Sequence, residues 1–145
     1  MIEKLLQDND FIKLMQQHCY EIIQTLIEKN IEFSIVCNTK YIQFNPELPK
    51  HLDLSENPYT LFALAGYTFT SIKLDKEYIH FHAGFGADDF ATFVKVDLGA
   101  ITQIQIENNA IFINFSFYKR KDENLAKKSI DLFLNNPKNK DIFKK

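Results

Sequence analysis

Apolar and polar residues alternate from Tyr67 to Tyr118, and the alternation predicts four successive strands: YTFTSIKL, YIHFHAGF, FATFVKVD and, after a short break, ITQIQIENNAIFINFSFY. The clearest runs from Tyr78 to Phe85. Ile79, Phe81, Ala83 and Phe85 fall on one face and His80, His82 and Gly84 on the other, the pattern of a strand half buried against a core. Asp75, Lys76 and Glu77 separate it from Ile72 and Leu74, which suits a tight hairpin with a polar loop. In the last strand Ile111, Ile113, Phe115 and Phe117 share one face, opposite Phe112, Asn114 and Ser116. So Phe-rich a strand is expected to lie mainly in the core.

Ahead of this stretch the period changes. Ile12, Met15, Cys19, Ile22, Ile23, Leu26 and Ile27 recur at three- and four-residue steps, predicting helix within residues 2–29 with Asp10 as N-cap and Asn30 at the C-terminal cap, Ile2, Leu5 and Leu6 adding a leading turn broken near Asp8 to Asp10. His18 lies beside that stripe and is given no role. IEFSIVC then predicts a strand, Tyr41 to Phe44 a shorter one, and Pro46, Pro49 and Pro58 a long irregular connection fit to rim a binding site. The run TLFALAG is apolar on both sides, so periodicity leaves strand and short helix open. Asp97 to Ile101 is expected to form a single helical turn that changes the chain's direction, and Asn108-Asn109 a hairpin turn.

Together these elements predict an α+β fold for residues 1–118. An N-terminal helix packs on a strongly curved, mostly antiparallel sheet of six or seven strands, closed as a small barrel or split into two packed sheets. Residues 119–145 form a second region. Asp122 is expected to cap a short helix carrying Leu125, Ser129, Leu132 and Phe133, and the end, KNKDIFKK, is a basic tail around Ile142-Phe143.

Composition sharpens this in three places. Fourteen Phe and six Tyr with no Trp favour β structure and leave rings to line a groove. Residues 1–118 hold 8 Lys and Arg against 15 Asp and Glu, net −7, while 119–145 hold 9 against 4, net +5. An acidic body argues against general nucleic-acid binding, which needs cationic surface to displace counterions from phosphate. Cys19 and Cys37 sit in apolar patterns and are expected to be buried thiols of a reduced, cytoplasmic protein. No long apolar run predicts a membrane span or signal peptide.

Candidate chemistry is sparse. His80 and His82 form an H-x-H pair that could ligate a metal if Asp88, Asp89 or His51 completed the set, and a metal-dependent enzyme on a small β-barrel is the rival reading from another class. Asp88 and Asp89, adjacent in sequence, are not expected to act as paired acids. Gly84-x-Gly86 lacks the third glycine and following helix of a phosphate loop. No catalytic residue, cofactor or metal is expected.

The helix FIKLMQQHCYEIIQTLIEKN, the strand IEFSIVC, the segment SIKLDKEYIHFHAGFGA and the run FVKVDLGAITQIQIENN follow one another in an order and spacing that resembles the stringent starvation protein B (SspB) family, over most of residues 11–118. The resemblance implies a helix on a β-structure related to the Sm-like barrel, usually a homodimer. It implies a non-enzymatic adaptor that holds ssrA-type degradation tags as extended peptides and tethers them to the N-terminal domain of the ClpX unfoldase. Carried over by position, His82, Ala83, Gly84 and Phe85 would help line the peptide groove, and Ile142, Phe143 and Lys144 would be the docking motif. Gly84 stands where many relatives place an arginine. The Sm-like architecture, the aromatics and the basic tail also suggest an RNA-binding module, which the acidic body opposes.

Overall fold

A computed structural model describes residues 1–120, and near its start a helix breaks at Asp8. α1 (Ile2–Gln7) is a leading turn, and α2 (Asn9–Glu28) is the long helix. The Asp8 carboxylate accepts hydrogen bonds from the N–H groups of Asp10 (2.9 Å) and Phe11 (3.1 Å), so Asp8 and not Asp10 is the N-cap. Asp10 instead places its charge in the first turn, at the positive end of the helix. At the other end Asn30 takes φ 57°, and the N–H groups of Asn30 and Ile31 bond the carbonyls of Ile27 (3.0 Å) and Leu26 (2.9 Å). That pair of bonds is a Schellman stop, and asparagine tolerates the left-handed position it requires.

The strands are β1 (Phe33–Asn38), β2 (Ile42–Asn45), β3 (Tyr59–Leu64), β4 (Lys73–Leu74), β5 (Tyr78–Phe85), β6 (Phe90–Asp97), β7 (Ile101–Ile106) and β8 (Asn109–Ile113), with a single-turn helix α3 (Tyr67–Thr70) between β3 and β4. The described residues therefore form eight strands rather than six or seven, in two four-stranded antiparallel sheets of order β3-β1-β7-β8 and β2-β6-β5-β4. Of the two expected closures, two packed sheets is the one found. Ile35, Leu64 and Ile104 from the first sheet meet Ile79, Phe81, Val94 and Val96 from the second, and α2 adds Cys19, Ile23 and Leu26. The 3-10 turn Leu98–Ala100 joins the sheets, as the turn expected at Asp97–Ile101 should.

Three further expectations change. YTFTSIKL is not a continuous strand: Thr70 and Ser71 turn their hydroxyls back onto the carbonyls of Tyr67 (2.8 Å) and Thr68 (2.6 Å), which favours a helical turn and leaves only Lys73 and Leu74 to pair. The β7–β8 hairpin turns on Glu107 and Asn108, both at positive φ (51° and 67°), one residue earlier than Asn108-Asn109.

The third change is the largest. Ile111, Ile113, Phe115 and Phe117 are exposed, while Phe112 and Asn114 are buried, so the last strand's apolar face is not core. Phe112 lies 5.5 Å, ring to ring, from His18 of α2. Asn114 donates to the carbonyls of Gly99 (3.2 Å) and Ile101 (3.4 Å) and accepts from the N–H and hydroxyl of Ser116, so its burial leaves no polar atom unmet. With a side-chain period of two, turning Phe112 and Asn114 inward turns the others out. The helix expected after Asp122 and the docking motif Ile142, Phe143 and Lys144 lie outside the described residues.

Candidate functional site

β5 has β6 beside it along its whole length, but on its other edge β4 pairs only with Ile79 and His80. At His82 that edge is met by a side chain: the His82 N–H donates to Ser71 Oγ (2.9 Å), whose proton goes to the Thr68 carbonyl and which lies 3.3 Å from the His82 carbonyl. Backbone groups of a strand alternate between its two edges, so Gly84 turns its N–H and carbonyl to the same side as those of His82. Among the described residues no strand pairs with Gly84 on that edge. Where a Cβ of Gly84 would stand, Asp89 Oδ1 lies 1.7 Å away, so the missing side chain makes room for the Asp89 carboxylate.

The alternation that frees this edge also divides the four residues expected to line one groove. His82 and Gly84 belong to the outer face of the second sheet, with His80; Ala83 and Phe85 lie on the inner face and pack, half buried, against the core. Phe85 joins a seam of rings between the sheets, its centroid 5.9 Å from Phe44 and 6.0 Å from Phe62, with Phe62 5.2 Å from Phe81. Phe44, Ala83 and Phe85 all stay partly accessible, so the seam is not sealed from the surface.

On the outer face the register builds two cross-strand rows. One is Lys73, His80, Lys95 and Gln43; the other is His82, Phe93 and Asn45. Most of these residues line a shallow trough of about 610 Å³ with Leu74, Asp75 and Val94. Phe93 is 64% exposed although it sits mid-strand, its ring 4.5 Å from that of His82. The Tyr67 hydroxyl reaches His82 Nδ1 at 3.0 Å, and the Lys95 ammonium stands 4.0 Å over the ring of Tyr78. His80 Nε2 is 3.4 Å from Asp75 Oδ2. Partial burial pushes the Asp75 carboxyl up, but the N–H groups of Glu77 and Tyr78, each at 2.8 Å, together with His80 outweigh it and hold the pKa below the ordinary carboxylate value.

The H-x-H pair is thus spoken for by Asp75 and Tyr67, and no three His, Cys, Asp or Glu side chains among the described residues converge on one point. Asp89, at φ 50°, donates its N–H to the Gly86 carbonyl (3.1 Å) in the β5–β6 turn. Cys19 and Cys37 are buried and unpaired with each other; burial pushes the Cys37 thiol up to about 12 and the Cys19 thiol higher still, so neither is a nucleophile at neutral pH. Among the described residues no helix is long and apolar enough to cross a membrane.

One feature escaped sequence reasoning. Asp97, opposite Tyr78 and next along from Lys95 on the same face, is 1% exposed. It accepts from the Tyr118 hydroxyl (2.7 Å) and from Arg120 Nε (2.8 Å) and Nη2 (3.1 Å). Burial and then the Asp97 bond push the Tyr118 phenol above its ordinary value, and the Asp97 bond raises Arg120. The chain leaving β8 therefore crosses to the outer face of the second sheet and reaches Arg120 beside the trough. A buried aspartate demands a partner, but nothing local in the sequence says that it comes from residues 118 and 120. No known protein-family model matches the chain, and no curated protein sequence matches it either.

Proposed function

We propose that this chain is a non-enzymatic, cytoplasmic adaptor that binds an unstructured chain end, of the ssrA degradation-tag type, in extended form along β5 and tethers it to the ClpX unfoldase through its own C-terminal residues. The observation that carries the reading is the edge of β5 at Gly84, which no strand among the described residues pairs. An extended peptide added there gains main-chain hydrogen bonds, and its alternate side chains fall on two different surfaces. One set meets the half-open ring seam of Phe44, Phe62 and Phe85; the other meets His82 and Phe93 on the outer face. The order of elements around IHFHAGFG, which resembles the stringent starvation protein B family, points the same way. Lys73 and Lys95 place positive charge on the face where Gly84 replaces the arginine of many relatives. Tethering needs no bond to be broken: it raises the local concentration of cargo at the unfoldase. The test is a titration of labelled tag peptide with the purified chain, followed by fluorescence anisotropy. Saturable binding is expected, and a peptide that stays free at all protein concentrations rejects the reading.

A further inference from the structure

The β5–β6 turn brings a carboxylate back over the strand that it leaves. Gly86 (φ 76°) and Asp89 (φ 50°) both take left-handed backbone, and the Asp89 N–H closes the turn on the Gly86 carbonyl at 3.1 Å. The Asp89 carboxylate then occupies the space that a side chain at Gly84 would need. Other short loops in this chain use an aspartate to bind backbone N–H groups, Asp53 that of Ser55 and Asp75 those of Glu77 and Tyr78. Asp89 does no such work. Among the described residues its carboxylate accepts no hydrogen bond and joins no ion pair, and both it and Gly84 are exposed.

We propose that Asp89 selects the cargo: resting on the peptide site proposed above, the ligand residue that faces Gly84 is a lysine or an arginine. The edge itself sets the register. β4 pairs with Ile79 and His80, and Ser71 takes the His82 N–H, so among the described residues Gly84 is where the edge of β5 remains for a ligand strand. Residues directly opposite across a strand pair have Cβ positions about 5 Å apart on the same face. The ligand side chain facing Gly84 therefore projects over the outer face beside the Asp89 carboxylate, within reach of an ammonium or guanidinium and repelled if it is acidic. Lys73 and Lys95 do not cancel this charge. They stand in the row of His80, about 13 Å along the strand from Gly84, which exceeds the screening length of about 8 Å at physiological salt. The sign of the whole body agrees, since residues 1–118 carry net −7 and attract a cationic segment ahead of an acidic one.

The test is fluorescence anisotropy of the full chain with a set of tag-type peptides, identical except for Lys, Ala or Glu placed at each position in turn. At one position Lys is expected to bind about tenfold tighter than Glu, with Ala between them, the combined effect of making one exposed charge pair and of opposing it. Asp89→Asn keeps the size of the side chain and tolerates the left-handed backbone, so it should keep the native circular dichroism spectrum and bring the three peptides within about twofold of one another. Raising the salt concentration should narrow the native preference in the same way, which tests the charge pair without any substitution. Peptides that bind with no preference for Lys at any position, or a Lys preference that survives in Asp89→Asn and at high salt, overturn the inference and leave the peptide site standing. A chain that binds none of the peptides overturns both.

Discussion

Arg120 grips the buried carboxylate of Asp97 with two hydrogen bonds, Nε to Oδ2 at 2.8 Å and Nη2 to Oδ1 at 3.1 Å. Arg120→Ala leaves that carboxylate, among the described residues, with the Tyr118 hydroxyl alone, and should cost about 3 kcal/mol, because a buried charge that loses its partner keeps its desolvation penalty. Urea unfolding of the full chain measures this. A change within error of zero would mean that water replaces the guanidinium without loss.

The start of α2 gives a comparison between two neighbouring acids. Asp8→Ala removes the acceptor for two backbone N–H groups and should lower stability by about 1 kcal/mol. Asp10→Ala removes only a favourable charge in the first turn and should cost about 0.5 kcal/mol. Thermal melts of the two variants rank them, and the reverse order would restore Asp10 as the cap.

Asp75 makes a pH-dependent contribution whose sign follows from its lowered pKa. A carboxyl that is more acidic folded than unfolded stabilises above the unfolded value, and that stability is lost as pH falls through the folded one. The stability difference between the native chain and Asp75→Asn should therefore be present at neutral pH and shrink below about pH 4. Denaturant midpoints across that range check it; a difference that grows on acidification contradicts the assignment.

Phe93 tests the peptide site without disturbing the core. Its ring is mostly exposed and stacks near His82 on the outer face, so Phe93→Ala should leave the melting temperature within a degree or two while weakening tag-peptide binding about tenfold, the equivalent of about 1.4 kcal/mol. Equal affinity in the variant would place the peptide elsewhere.

The division of labour between groove and tail is separately testable. Deleting Asp141 to Lys145, which removes Ile142, Phe143 and Lys144, should abolish delivery of a tagged substrate to the unfoldase in a degradation assay and leave anisotropy-measured tag binding unchanged. Undiminished degradation with the truncated chain would show that those residues do not dock.

Much of the architecture was legible in local pattern. The step of α2, the alternation of β5, the left-handed stop at Asn30 and the turn at Leu98–Ala100 each depend on residues within one element, and each appears where the pattern put it. The candidate site was legible only in part. Alternation already separated His82 and Gly84 from Ala83 and Phe85, but the proposal that one extended ligand meets both pairs rests on the shortness of β4, which Thr70 and Ser71 cause by closing a helical turn. Phe93, Lys95 and Asp97 drew no notice because β6 looks like any other half-buried strand until its neighbours are known.

From the sequence alone came an α+β chain with one long amphipathic helix ahead of a run of antiparallel strands, because periodicity is a property of consecutive residues. Only the tertiary structure decided which face of each strand turned inward. In β8 the more apolar face points out, since α2 takes up Phe112 and the carbonyls around Gly99 and Ile101 capture Asn114. Asp97 is likewise buried, because Tyr118 and Arg120 arrive from another part of the chain. A strand's pattern names its two faces, but which one is buried depends on partners distant in sequence.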